Sequence, residues 1–389
     1  MRSIDSFRFK VKGAAFSLLI VALLLVSFPH DSLARKKKEG FFKDIDTSWL
    51  VYKGDQGRTA SENPLLSVPL ELSWKNNIAR SIGATASAGG EYIFVTTRDR
   101  RLVILERTSG ERVQRRTFKG GFGGSVLIEG TKLYFNTRYP GGKVYGTDIN
   151  TKDNHLERKV GAALVSPIVN HDRLFTFSQD GQVVSMNTEA GFRNWETKIE
   201  GNIEYGPLYI DPFLFVPTVQ GKVYKLDSST GQTVSEFKAE GLLLSDLSSD
   251  GYYLFTAASN GRIYCLEPDS LKVEWQSDLN QPLFCGPVYH KGFLYQSGRN
   301  GRLIKLAALD GSQVWEAELD GIAVTSPAVT DEYVFTGTKS GELAAFDLEN
   351  GEKLWEKKID ESISCTPLVY MDYLYYCTDR GTVYAFHAK

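Results

Sequence analysis

Apolar and polar residues follow one another along this chain in strand-length runs that break at glycine, and the breaks recur at a fixed interval. The stretch SPAVTDEYVFTGTKSGELAAFDLENGEKLWEKKI, Ser326 to Ile359, shows one unit. Ser326–Val329 predicts a short strand, and Tyr333–Gly337 a second after an Asp331-Glu332 turn. Glu342–Asp347 predicts a third strand after Ser340-Gly341, and Glu352–Trp355 opens a fourth after Glu349-Asn350-Gly351. Glycine suits such turns because it reaches positive φ without a Cβ clash. The unit then repeats. Gly181, Gly221, Gly261, Gly301, Gly341 and Gly381 stand 40 residues apart, and Gly142 and Arg100 extend the series upstream, the latter with its glycine replaced. Pro167, Pro207, Pro287, Pro327 and Pro367 keep the same register, as do Trp195, Trp275, Trp315 and Trp355, with Leu247 and Ser235 in the vacant places.

Four antiparallel strands per ~40 residues is the spacing of a β-propeller blade, and the series predicts an all-β, eight-bladed ring. The residues preceding the prolines, Ser166, Gly206, Asp246, Gly286, Ser326 and Thr366, are mostly small, as innermost strands crowded around one axis require. The recurrent Trp is expected to lie between neighbouring blades and bury a large apolar area there. The eighth unit, Thr366–Lys389, stops after its third strand, whereas Trp74 stands twelve residues before Ala86, the offset of Trp355 from Pro367. The segment around Trp74 is therefore expected to supply the last blade's outer strand and close the ring, which removes open sheet edges. The division that follows is 1–34, 35–64 and 65–389: an export segment, a basic lead-in and one propeller.

The N-terminal segment carries the layout of a secretory signal peptide. Arg8, Lys10 and Lys12 precede fifteen uncharged residues, Ala14–Phe28, and Ser32-Leu33-Ala34 supplies small residues for cleavage. Arg35-Lys36-Lys37-Lys38 directly after the cut opposes translocation, so an uncleaved anchor stands beside cleavage as the alternative. Either form places the chain in the periplasm or cell envelope. No cysteine precedes Cys265, so there is no lipobox.

Composition narrows the classes. The 389 residues are 42% hydrophobic and 24% charged, which excludes long disorder and a disulfide-stapled miniprotein. With 45 Lys and Arg against 47 Asp and Glu, the net charge of -2 argues against a general nucleic-acid binder. The five histidines are scattered without ligand spacing, and no nucleophile elbow or phosphate-cradling loop occurs, so no catalytic, cofactor or metal residue is assigned and no cofactor is expected.

The phrases GKVYKLDSSTGQ, GRIYCLEPDSLKVEW, GELAAFDLENGEKLW and GTVYAF resemble the G-x-V-Y-A-L-D-x-x-T-G-x-x-x-W repeat of the pyrroloquinoline-quinone-like propellers. That family holds quinone-dependent dehydrogenases and outer-membrane assembly factors of the BamB type. The lead-in TSWLVYKGDQGRTASENPLLSVPLELSWK, with Trp49, Asp55, Arg58 and Thr59, is similar to the family's N-terminal segment. The resemblance covers about residues 47–389. It implies a non-catalytic, monomeric scaffold that binds protein partners in the cell envelope, with membrane contact only through an uncleaved N-terminus. The alternatives are a quinone-dependent dehydrogenase and a ligand-sensing ectodomain. Even 40-residue spacing leaves no room for the insertions usual in the dehydrogenases, and Cys265, Cys285, Cys365 and Cys377 are never adjacent. Asp246, the one acidic residue before a proline position, is a candidate axial carboxylate, with a solvated channel group or a turn residue as the plainer reading. Cys365 and Cys377 would face each other across a hairpin only if the Met371-Asp372 turn held three residues, in which case a disulfide could join them; reduced core cysteines are the plainer reading. Leu242, Leu243 and Leu244, between the fourth and fifth units, and Arg138 and Tyr139, in the second, are candidate partner contacts; burial of the leucine loop against the axis is the alternative.

Overall fold

Each repeat unit folds into a sheet of four antiparallel strands, and the eight sheets stand around one axis as a β-propeller without a helix among the described residues. The structure, a computed structural model, describes residues 42, 53–62, 64–138 and 141–389. The segment read as a signal peptide or anchor lies outside these residues, as do Trp49 and Tyr139. Blades 1 to 7 occupy residues 87–117, 127–159, 168–198, 208–238, 248–278, 288–318 and 328–358, and blade 8 begins at 368. In the unit from Ser326 the second and third strands are Tyr333–Gly337 and Glu342–Asp347, as anticipated. The first shortens to Ala328–Val329, because Pro327 before it has no N–H to pair.

The six glycines from Gly181 to Gly381 take φ between 79° and 100°, and Gly142 and Arg100 adopt 49° and 72° in the same role. The reason is visible at Gly341. A Cβ there would lie 2.2 Å from the Ile359 carbonyl, where the outer strand crosses the turn on its way to the next blade.

The outer strands show how blades grip each other. Between the third and outer strands the register shifts once, as between Ala345 and Phe346 opposite Trp355 and Lys353. This bulge leaves Leu354 half-exposed and turns the Trp towards the next blade. Trp195, Trp275 and Trp315 each donate Nε1–H to a carbonyl 33 residues on, those of Ser228, Ala308 and Leu348. Each indole lies over a glycine of the next blade: a Cβ on Gly231, Gly311 or Gly351 would fall 2.4–2.8 Å from the ring. In blade 2, Leu156 takes the Trp place and still faces a glycine, Gly191, but at the other two interfaces that lack the Trp the glycine is missing too. Ser235 faces the interface in blade 4, and its counterpart on blade 5 is Leu271, 3% exposed with φ 56°. Gln114 takes the Trp place in blade 1, keeps its bond to a carbonyl (Ile149, 3.4 Å), and is matched by Lys152 at φ 66°. At the interface of blades 4 and 5 large and small thus trade places, which conserves volume. Ser235→Trp alone is expected to overpack this interface and cost about 1–3 kcal/mol, and Leu271→Gly in the same chain to recover most of it. A double-mutant cycle by urea denaturation measures the coupling, and additive effects would refute the exchange.

Ring closure takes the expected form. Leu70–Asn77 pairs antiparallel with Thr382–Ala388, from Leu70 against Ala388 to Asn77 against Thr382, and is the outer strand of blade 8. The interblade bonds run unbroken through this seam: Trp355 Nε1 donates to Leu70 O at 2.8 Å and Trp74 Nε1 to Arg107 O at 3.0 Å. Blade 8 also gains a fifth strand, Ser61–Glu62, parallel to its innermost strand Leu368–Tyr370. The hairpin turn decides between the two readings of the cysteines in favour of reduced thiols. Tyr370 pairs with Tyr373 across a two-residue turn, so Cys365 and Cys377 are not opposite, and all four cysteines are buried free thiols.

Candidate functional site

The small residues before the proline positions do face the axis. Ser166, Gly206, Asp246, Ser326 and Thr366 line a central cavity of about 200 Å³. Neighbouring innermost strands are stitched across this ring one repeat apart: Ser125 Oγ donates to Thr85 O, Ser166 Oγ to Ser125 O, and Ser326 Oγ to Gly286 O.

The lead-in segment fills one end of the axis. From Gln56 to Ala60 its carbonyls accept N–H bonds from Ser249, Tyr289, Val329 and Val369, all at 2.9 Å, so four consecutive blades contribute one donor each. Residues in this path depart from ordinary backbone conformations: Lys53, Arg58 and Ala60 have φ of 61°, 65° and 51°. Gly57 is required by space, since a Cβ would lie 2.4 Å from the Tyr289 carbonyl. Asp55 braces the turn by accepting bonds from the Thr59 N–H and hydroxyl.

Two cations project from this plug into the ring. Lys53, 2% exposed, places Nζ 2.9 Å from the Asp246 carboxylate and 3.0 Å from Ser326 Oγ. Arg58 donates to the carbonyls of Leu247 and Pro207. Asp246 also accepts the Gly206 N–H at 2.6 Å. Burial alone would raise its carboxyl, but the charges of Lys53 and Arg58 and the hydrogen bonds outweigh burial and hold it below the usual carboxylate range. Asp246 is therefore neither a solvated channel group nor a turn residue. It is the anchor of the plug. Nearby Tyr205 and Cys285 are both pushed up to about 12, chiefly by burial. A thiol so raised is a poor nucleophile, and Cys285 should resist alkylation by iodoacetamide in the folded protein and react only on unfolding.

The surface residues singled out from sequence separate. Leu242 is 46% exposed, whereas Leu243 is fully buried in the interface of blades 4 and 5 and Leu244 is half-buried. The loop thus presents one exposed leucine, not a contiguous apolar patch. Arg138 is half-buried, its N–H bonded to Gly121 O.

The repeat pattern and the ring coincide with a known family. The family model described as outer membrane protein assembly factor BamB matches residues 71–202, 150–237 and 219–389. The chain belongs to the BamB family. It is 24% identical over 233 residues to an uncharacterised protein of Rickettsia conorii, covering 54% of this chain and spanning 56% of that relative's length. The crystal structure of BamB from Moraxella catarrhalis superposes with a TM-score of 0.70 at 15% identity, over 82% of this chain and all of that one. The quinohemoprotein alcohol dehydrogenase of Comamonas testosteroni superposes equally well, with a TM-score of 0.71 at 13% identity over 88% of this chain and 81% of that one. Such likeness establishes the fold, which BamB proteins and quinone enzymes share.

The axial residues do not fit a quinone with its calcium ion. Calcium takes six to eight oxygen ligands. The two carboxylates lining the cavity are committed, Asp246 to Lys53 and Glu204 to Gln179 Nε2 at 2.8 Å. Among the described residues no three His, Cys, Asp or Glu side chains gather as a metal set. The Lys53 ammonium and the Arg58 guanidinium aimed at the cavity would also repel a divalent cation. At about 200 Å³ the space falls below the ~300–1,000 Å³ of small-molecule sites.

Proposed function

We propose that this protein is a non-catalytic scaffold of the cell envelope whose loops bind protein partners in outer-membrane protein assembly. The observation that carries this reading is the filled axis. Where a propeller enzyme needs an open cavity, this chain inserts its own Lys53 and Arg58 and satisfies them with its own carboxylate and carbonyls. What the ring then offers is its rim, where turns held by eight rigid sheets keep fixed positions. Membership of the BamB family favours assembly machinery as the partner. The signal-like Ala14–Phe28 segment favours export, and N-terminal sequencing of the mature protein distinguishes cleavage after Ala34 from an anchor.

Affinity capture of the tagged full chain from crosslinked envelope extracts tests the reading. Enrichment of outer-membrane assembly components supports it, and their absence overturns it. A parallel assay adds pyrroloquinoline quinone and calcium and follows dye-linked oxidation of alcohols and sugars. The expected rate is that of the protein-free control; turnover above it would return the chain to the dehydrogenase class.

A further inference from the structure

At the end of the ring where the inner strands begin, the loops between blades meet the turns that join second and third strands. Arg98 N–H bonds to Ser81 O, Arg138 N–H to Gly121 O, and Gln179 N–H to Ala162 O, which clamps three successive turns against three loops. A cleft of about 680 Å³ opens among them, beside the axial cavity, with which it shares Leu164. Its lining includes Arg80, Arg98, Arg100, Arg101 and Arg138, against a single carboxylate, Asp99. Asp99 pairs with Arg101 at 3.2 Å, and among the described residues no carboxylate lies within ion-pair distance of the other four. Arg98 and Arg138 oppose each other electrostatically: burial and then the charge of Arg98 press the Arg138 guanidinium below its ordinary value, with Glu204 acting the other way.

The fold does not ask for these arginines. The turns carrying Val219 and Ser259 make the same backbone bonds, to Asn202 O and Leu242 O, without any basic residue. Arg100 even stands where the other seven repeats have glycine, at φ 72°, a conformation that disfavours side chains. Residues 98–119 hold eight basic and three acidic residues in a chain whose net charge is -2. Like charges converging on a concave site are unfavourable until an anion joins them, and the guanidinium fork matches phosphate with paired bonds. The volume lies within the range of small-ligand sites.

We propose that this cleft binds a small anion carrying at least two phosphate groups, free or as the headgroup of a lipid. The proposal is independent of the protein-partner reading above. Titration calorimetry of the purified full chain with inorganic pyrophosphate at low salt should show saturable one-to-one binding. The Arg98→Ala/Arg138→Ala variant should weaken it by about tenfold or more while melting like the parent. Arg112→Ala/Arg115→Ala, exposed on the same basic blade but outside the cleft, should stay within about twofold. Absence of saturable binding, or equal losses in the two variants, overturns the site. Phosphatidylcholine vesicles doped with a bisphosphorylated phosphoinositide separate the sources. Binding that pyrophosphate displaces places a headgroup in the cleft, whereas pyrophosphate binding without vesicle binding assigns a soluble ligand. Vesicle binding that survives Arg98→Ala/Arg138→Ala and excess pyrophosphate counts against the cleft.

Discussion

A chain that begins at Ala79 should lose the single cooperative melt of the intact propeller. Such a truncation strips the outer strand from blade 8, leaving Thr382–Ala388 as an unpaired edge, and removes both seam bonds, from Trp355 to Leu70 O and from Trp74 to Arg107 O. It also uncovers the apolar cluster that joins blades 8, 1 and 2 through Trp74, Phe94 and Phe135. Trp74→Ala alone, at a residue 9% exposed, should cost about 3–5 kcal/mol. The full truncation should exceed that and yield a broad, low-temperature transition or aggregation. A chain beginning at Pro64, which lacks the plug but keeps the seam, should melt cooperatively at a lower temperature than the parent. Calorimetry of the three chains decides: a melt that is unchanged from Ala79 would mean the ring closes some other way.

Asp246→Ala should produce the second large effect. It removes the carboxylate facing an ammonium that is 2% exposed, and breaking a buried pair from one side costs about 3–5 kcal/mol. The urea midpoint should fall at unchanged m-value, and Lys53→Met in the same chain should recover part of the loss. The pH dependence has a definite sign. Because the folded carboxyl is held below the ordinary Asp value, its stabilisation is fully present above about pH 4 and is lost as pH falls through the folded value. The parent should therefore lose stability below about pH 4 more steeply than Asp246→Ala. Parallel curves for the two proteins would show that the pair contributes nothing.

Much of this molecule was legible because its repeats obey one local rule. A turn crossed by an outer strand needs glycine, so Gly181 to Gly381 mark the blades whatever the surrounding residues are. The crowded axis needs small side chains, so the residues before the prolines announce where the axis runs. Even the seam could be located, because Trp74 keeps the offset of Trp355 from the next inner strand. The exchange at the blade 4–5 interface was half visible: Ser235 was an evident gap, but Leu271 lies 36 positions on, and nothing local says that the two share one volume.

The site residues were harder to see for an equally physical reason. Asp246 stood out as an acid in a small-residue series, yet its partner Lys53 is 193 residues away and belongs to no repeat. The donors that hold the plug are backbone N–H groups, which carry no sequence signature. The arginine cleft was concealed by the net charge of -2, since blades 1 and 2 concentrate basic residues that acidic ones elsewhere offset in the sum. Leu243 read as a candidate contact because apolar runs look alike whether they face a partner or the interface between blades.

The amino-acid order alone determined an eight-fold ring and its point of closure, because periodic turns and interblade packing are local demands repeated every 40 residues. Only the tertiary structure decided what fills the axis and where the charges converge. Those are properties of groups brought together from distant blades, and their energies depend on burial and distance, which no periodicity encodes.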